Sequence, residues 1–156
     1  MKTIDLLGKH IIEIHLKISE YSSSGTIPLE QIEVEMQLSS GEIIDFPLHP
    51  NSINLERSNF NPELKQIFPA KGIFNFKRKR SVFDNIEDKA IIGIWEIEDD
   101  FGEEICGLEF INGYFLVQGP MSPIGTGHAD LFLFDSKRNL QKRFQGDMQL
   151  VHDSRV

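Results

Sequence analysis

The sequence is poor in cysteine, in long apolar runs and in positive charge. Its 156 residues contain one cysteine, Cys106, which excludes an internal disulfide and suits a reducing compartment. The longest apolar runs, such as AIIGIW and YFLV, are far shorter than the roughly 20 residues that a membrane-spanning helix needs. The opening MKTIDLLGKH lacks the continuous apolar stretch of a signal peptide. We therefore expect a cytoplasmic protein that has no membrane partner.

The charge balance restricts the partners. There are 24 acidic residues against 16 lysines and arginines, a formal net charge of −8. Proteins that bind nucleic acid by neutralising phosphates need the opposite balance, so no direct nucleic-acid partner is expected. The charges are also segregated along the chain: from Asp84 to Glu109 ten acidic residues accompany Lys89 alone. Such a region is most often a solvated face, and it is also what recognition of a basic partner requires.

Alternation of apolar and polar residues is the strongest pattern that is present. In IIEIHLKIS, the residues Ile12, Ile14, Leu16 and Ile18 fall on one face of a strand, and IEVEMQL repeats this pattern. This is typical of half-buried antiparallel strands. Because this alternation recurs along the chain, we predict a mainly β fold that forms a single domain, residues 1–156. The expected architecture is an antiparallel β-sandwich or partly open barrel of eight to ten strands.

Two turns predict how strands pair. A three-residue loop, Ser39-Ser40-Gly41, would place Met36 opposite Ile44, Val34 opposite Phe46 and Ile32 opposite Leu48, with Pro47 marking an edge strand. Asn112-Gly113 predicts a type I′ turn, which places Leu108 opposite Val117. A loop with an even number of residues in DDFGEE would then place Trp95 opposite Leu108. That register puts one set of residues on a single core face: Trp95, Ile97, Cys106, Leu108, Phe110, Phe115 and Val117.

Helix is scarce. NPELKQIFP (61–69) and SVFDNIEDKA (81–90) predict one or two short helices, from a proline at the first helical position and from a weak capping pattern. ADLFLFDSKRNLQKRF (129–144) is interpreted as a closing hairpin.

The loop from Gly119 to His128 is the most suggestive stretch for catalysis. It feeds a strand and no lysine follows, so it is not a phosphate-binding loop. His128 and Asp130 share one strand face and, with Ser122, define an enzyme hypothesis. We favour a structural role for them, because an active site needs convergent groups. No metal-binding spacing is present, and no cofactor is predicted.

Gly93-Ile94-Trp95 resembles the G-x-W that opens the first strand of lipocalins. The likeness covers three residues. It implies a carrier of small hydrophobic ligands that would use a barrel interior lined by some of the twelve phenylalanines.

One group of residues is expected to bind a partner. The segment DDFGEE joins two predicted strands and surrounds an aromatic residue with acids, which is unfavourable for stability alone. We call this group the acidic tip: Glu96, Glu98, Asp99, Asp100, Phe101, Glu103 and Glu104. The leading hypothesis is a non-catalytic bacterial immunity-type inhibitor that covers the cationic surface of a basic toxin, such as a nuclease. The alternatives are the lipocalin-like carrier and the small enzyme.

Overall fold

Antiparallel sheets dominate the computed structural model of the chain, which describes residues 1–22, 28–52, 55, 74–75, 80–81, 85–99, 102–118 and 131–154. Within those ranges a short 3-10 helix (Thr3–Leu6) and one α-helix, α1 (Lys137–Arg143), accompany the strands. The strands are β1 (Ile11–Ser22), β2 (Pro28–Leu38), β3 (Ile43–Asp45), β4 (Phe74–Asn75), β5 (Arg80–Ser81), β6 (Ile91–Glu98), β7 (Glu104–Phe110), β8 (Phe115–Gln118), β9 (Leu131–Phe134) and β10 (Met148–Asp153).

The N-terminal sheet has the order β1-β2-β3 and confirms the first predicted turn. Met36 pairs with Ile44, and the Phe46 N–H donates to the Val34 carbonyl. The loop closes at Gly41, whose φ of +95° is a conformation that suits glycine. β3 is an edge strand that ends before Pro47, as predicted. Leu48 does not continue the pairing: its side chain is 67% exposed.

The second sheet has the order β10-β6-β7-β8-β9 and is covered on both faces. On one face it packs against the N-terminal sheet, and residues of both sheets form one core cluster. On the other face α1 contributes Leu140, and Phe144 follows it, to a second cluster with Trp95 and Phe115. The described strands thus form a β-sandwich with a helix on its outer side, and they close no barrel. The carrier hypothesis, which needs a barrel interior, has no such interior among these strands.

The predicted register of the second sheet is wrong by one residue. Ile94, not Trp95, pairs with Leu108, and Leu108 pairs with Leu116. Between β6 and β7 the shift arises in the loop that joins them, where the Asp99 N–H donates to the Glu103 carbonyl. Between β7 and β8 the cause is the Asn112-Gly113 turn: a type I′ turn needs positive φ at both residues, and only Gly113, at +88°, has it. The Phe110 N–H instead donates to the Tyr114 carbonyl, so the loop has three residues.

The shift divides the predicted core face between two faces. All seven residues are buried. Cys106, Leu108 and Phe110 belong to the cluster between the sheets. The other four pack toward α1: Trp95, Ile97, Phe115 and Val117.

A smaller displacement affects β1. A bulge between Ile11 and Glu13 buries Ile11 completely and leaves Ile12 48% exposed, so Ile12 leaves its predicted face.

The C-terminal hairpin prediction (129–144) is also wrong. Leu131–Phe134 forms a strand, but Lys137–Arg143 forms α1. The side chain of Ser136 accepts a hydrogen bond from the Asn139 N–H, which caps the first turn of the helix.

The helix predicted at 61–69 lies outside the described residues, and part of 81–90 forms a short turn that contains the buried Ile86. In the ranges that are described, no helix combines the length and the hydropathy needed to cross a membrane.

Candidate functional site

The acidic tip is built on the connection between β6 and β7. The Asp99 N–H donates to the Glu103 carbonyl at 2.8 Å, so three residues connect the strands rather than the even number predicted. Gly102, the last of them, has φ +76°. The Asp99 side chain is only 6% exposed, and its Oδ1 accepts a hydrogen bond from the Glu103 N–H at 2.8 Å. Asp99 therefore ties the two ends of the loop together from inside.

The structure brings five of the seven predicted tip residues together. Glu103 and Glu104 are exposed, and Glu96 and Glu98 are half-buried on β6. Glu98 lies directly opposite Glu104 in the β6–β7 ladder. Like charges placed opposite each other on neighbouring strands are destabilising. The two remaining predictions, Asp100 and Phe101, lie outside the described residues.

A cleft of about 200 Å³ opens beside the tip, and we call it the tip cleft. It lies between the residues that follow β3 and the end of the second sheet that carries the tip. Pro47 and Leu48, which follow β3, line one side of it, and Cys106 and Gln118 also line it. The tip supplies the rest of the lining together with Ile105: Asp99, Glu103 and Glu104. The site therefore combines exposed carboxylates with an apolar wall.

Three residues of this region were not predicted from the sequence to belong to the site. Leu48 was expected to face Ile32, but it is exposed at the cleft. His49 lies with its Nε2 3.6 Å from the Glu104 Oε2. The Asp147 carbonyl accepts a hydrogen bond from the Glu98 N–H, which places a further exposed acidic residue beside the tip. All three are distant from the tip in sequence, so only strand order reveals them.

Cys106 is part of the cleft lining and yet is almost wholly buried, at 1% exposure. Burial raises the pKa of its thiol far above the ordinary value, because the thiolate would lose its hydration. At neutral pH the group is therefore a thiol, which is a poor nucleophile and a poor metal ligand.

The opposite face of the second sheet has a different chemistry. The Trp95 Nε1 donates to the buried Glu109 Oε1 at 2.8 Å, and the Lys137 Nζ lies 4.7 Å from the centre of the Trp95 ring. Arg143 lies over the rings of Phe132 and Phe144. Lys137 and Arg143, at the two ends of α1, thus lie over aromatic side chains on the face away from the N-terminal sheet.

The residues of the enzyme hypothesis, Ser122, His128 and Asp130, lie outside the described residues, as does the loop 119–128. Within the described ranges, no group of three or more histidine, cysteine, aspartate or glutamate side chains is arranged to hold a metal ion. No protein-family model, curated protein or solved structure matches this chain.

Proposed function

We propose that this chain is a non-catalytic binding protein of the bacterial immunity type, which acts in the cytoplasm by covering the cationic surface of a basic toxin. The observation that carries the proposal is the opposition of Glu98 and Glu104, with Glu103 exposed beside them. This arrangement costs stability in the free protein. A basic partner would relieve the repulsion between the carboxylates and be attracted by them, because its positive field complements their negative charge.

The described base of the tip, at Asp99 and Glu103, is held by hydrogen bonds in the free protein, which supports recognition by a preformed surface. Asp99 and the two backbone hydrogen bonds of the loop hold the strands together at the base of the tip. A surface that is ordered before association loses less conformational entropy on binding than a mobile one. Leu48, 67% exposed beside the acids, adds apolar area of the kind that supplies affinity, while the charges supply steering.

The test is the kinetics of partner binding. The bound protein would be recovered from extracts of the source cells and purified, and its activity would be assayed with and without this chain. Surface plasmon resonance at two ionic strengths would then compare wild type with the double variant Glu103→Lys/Glu104→Lys. We expect the association rate constant at low salt to fall about tenfold or more, and its salt dependence to weaken, because steering scales with the opposed fields.

A matched control carries the same change of charge elsewhere. Glu13→Lys/Glu87→Lys reverses two exposed acidic residues that do not belong to the tip, and it should alter the association rate much less. Phe101→Ala should act on the dissociation rate instead, since it removes an aromatic side chain rather than a charge. Equal association rates for the two double variants, or a partner whose activity is not inhibited, would contradict the proposal.

A further inference from the structure

We infer that the tip cleft receives one arginine side chain of the partner; this rests on the proposed function only for the identity of the protein that carries the arginine. The cleft is small. At about 200 Å³ it lies below the roughly 300–1,000 Å³ of pockets that enclose drug-sized ligands. It has room for a single long side chain.

The lining of the cleft has two parts, and each matches one part of an arginine. Pro47, Leu48 and Ile105 provide apolar surface, against which the three methylene groups of the side chain can pack. Glu103 and Glu104 are exposed carboxylates at the same cleft and can accept hydrogen bonds from a guanidinium group. The exposure of Leu48 matters here, because its apolar surface is in contact with water in the free protein. Packing against the methylene groups of an arginine would remove that surface from water.

Arginine fits better than lysine for a physical reason. The guanidinium group is planar and weakly hydrated. Two of its N–H groups can donate hydrogen bonds to the two oxygens of one carboxylate. It can therefore lie against the apolar wall and still satisfy a carboxylate. An ammonium group is compact and strongly hydrated, so it would lose more hydration in a half-apolar cleft.

The inference can be tested without the partner. Amide chemical shifts of the ¹⁵N-labelled full chain would be followed while Nα-acetyl-arginine amide is added. We expect saturable shifts at Leu48, Glu104, Cys106 and Gln118, with a dissociation constant on the order of 1 mM, as ligand-efficiency limits allow for so small a probe. The neutral citrulline analogue and the lysine analogue should each bind at least about threefold more weakly, since each lacks part of the match.

Variants separate the two parts of the cleft. Leu48→Ala removes the wall and Glu104→Gln removes a charge, and each should weaken binding of the arginine probe at least about threefold. Ile111→Ala is the matched control, because Ile111 is 63% exposed but lies on the β7–β8 loop, at the opposite end of β7 from the tip. It should leave the affinity unchanged. All three altered residues are exposed, so the folded spectrum should persist in every variant.

In the probe titrations, any of four results would overturn the inference: no saturable shifts at the cleft, equal affinity for citrulline, equal affinity for lysine, or equal affinity in the Leu48→Ala and Ile111→Ala proteins. They differ from the results that would overturn the proposed function. A chain that binds the arginine probe at the cleft but inhibits no basic protein retains the cleft specificity and loses the immunity role. A chain that inhibits its partner equally well after Leu48→Ala and Glu104→Gln retains the role and loses the cleft specificity.

Discussion

Two hairpins of this protein share one loop geometry and differ in what surrounds them. In the outer hairpin, β2–β3, the Leu38 N–H donates to the Glu42 carbonyl and Gly41 has φ +95°. In the central hairpin, β7–β8, the Phe110 N–H donates to the Tyr114 carbonyl and Gly113 has φ +88°. Both loops have three residues. The outer register is predictable from the sequence, and the central register is not.

The difference comes from the number of buried faces. Near its loop the outer hairpin alternates in sequence between apolar residues, such as the buried Met36 and Ile44, and polar ones, so only one register places the apolar residues together on one face. In the central hairpin every residue from Cys106 to Phe110 is buried, and so are Phe115, Leu116 and Val117. A one-residue shift there exchanges one apolar face for another. The sequence pattern cannot distinguish the two registers.

The largest expected effect tests whether both central faces are core. Phe115 and Leu116 are neighbours that point to opposite faces, 2% and 0% exposed. Phe115→Ala should lower the free energy of unfolding by about 3–5 kcal/mol and Leu116→Ala by about 2–5 kcal/mol. In the outer sheet the neighbours Ile11 and Ile12 should differ: about 2–5 kcal/mol for Ile11→Ala and under about 0.5 kcal/mol for Ile12→Ala. Urea unfolding measures all four.

That contrast fails if either central variant behaves like Ile12→Ala. In that case one face of the second sheet would not be core, and the single-face interpretation would return.

An intermediate effect tests whether the two loops are alike. An added methyl group at Gly41 or Gly113 would meet no atom within 4 Å, so only the backbone conformation opposes a side chain. Gly41→Ala and Gly113→Ala should therefore each cost about 1–2 kcal/mol, the strain of placing alanine in the left-handed region. Asparagine at the same positions should cost less. Thermal unfolding would show unequal losses if the central turn were of another type.

The smallest effect distinguishes the loops electrostatically. Glu42, at the end of the outer loop, has a lowered pKa, first because its side chain accepts a hydrogen bond from Ser40 and further because Lys9 lies 3.8 Å away. Ser40→Ala should raise this pKa toward the ordinary value, and Lys9→Met should raise it less. Carboxyl ¹³C shifts followed against pH measure both changes, and a larger effect of Lys9→Met would contradict the order of causes.

The lowered pKa of Glu42 makes the stability of the fold depend on pH. A lowered pKa in the folded state stabilises the fold above the ordinary glutamate pKa of about 4.3, and this stabilisation is lost as the pH falls through the lowered pKa. The Ser40→Ala protein should therefore lose less stability on acidification than the wild type. Because Glu42 is exposed at the surface, the difference should also shrink as salt is added.

Only the acidic part of the candidate site was predictable from the sequence. The concentration of acids around DDFGEE is visible in the chain, because those residues are neighbours in sequence. Leu48, His49 and Asp147 are not neighbours of the tip, and their sequence surroundings contain no pattern that connects them with it. They reach it because β3 ends early and because β10 pairs with β6. Of the apolar wall, Ile105 follows the tip in sequence, but Pro47 and Leu48 reach the cleft only through the tertiary structure.

The sequence by itself determined the mainly antiparallel β class, the outer hairpin register and the acidic character of the tip, because each depends on local alternation, one turn or adjacent charges. The tertiary structure alone decided the central register and the cleft, whereas the helix at Lys137–Arg143 has a local signal, the Ser136 cap, that the hairpin interpretation missed. The physical reason for the register is that a strand buried on both faces has few polar positions that identify its orientation, since apolar residues are accepted on either side. In β7 even Glu109 is buried, where it accepts a hydrogen bond from Trp95. Which face meets the N-terminal sheet and which meets α1 depends on packing between segments that are far apart in the chain.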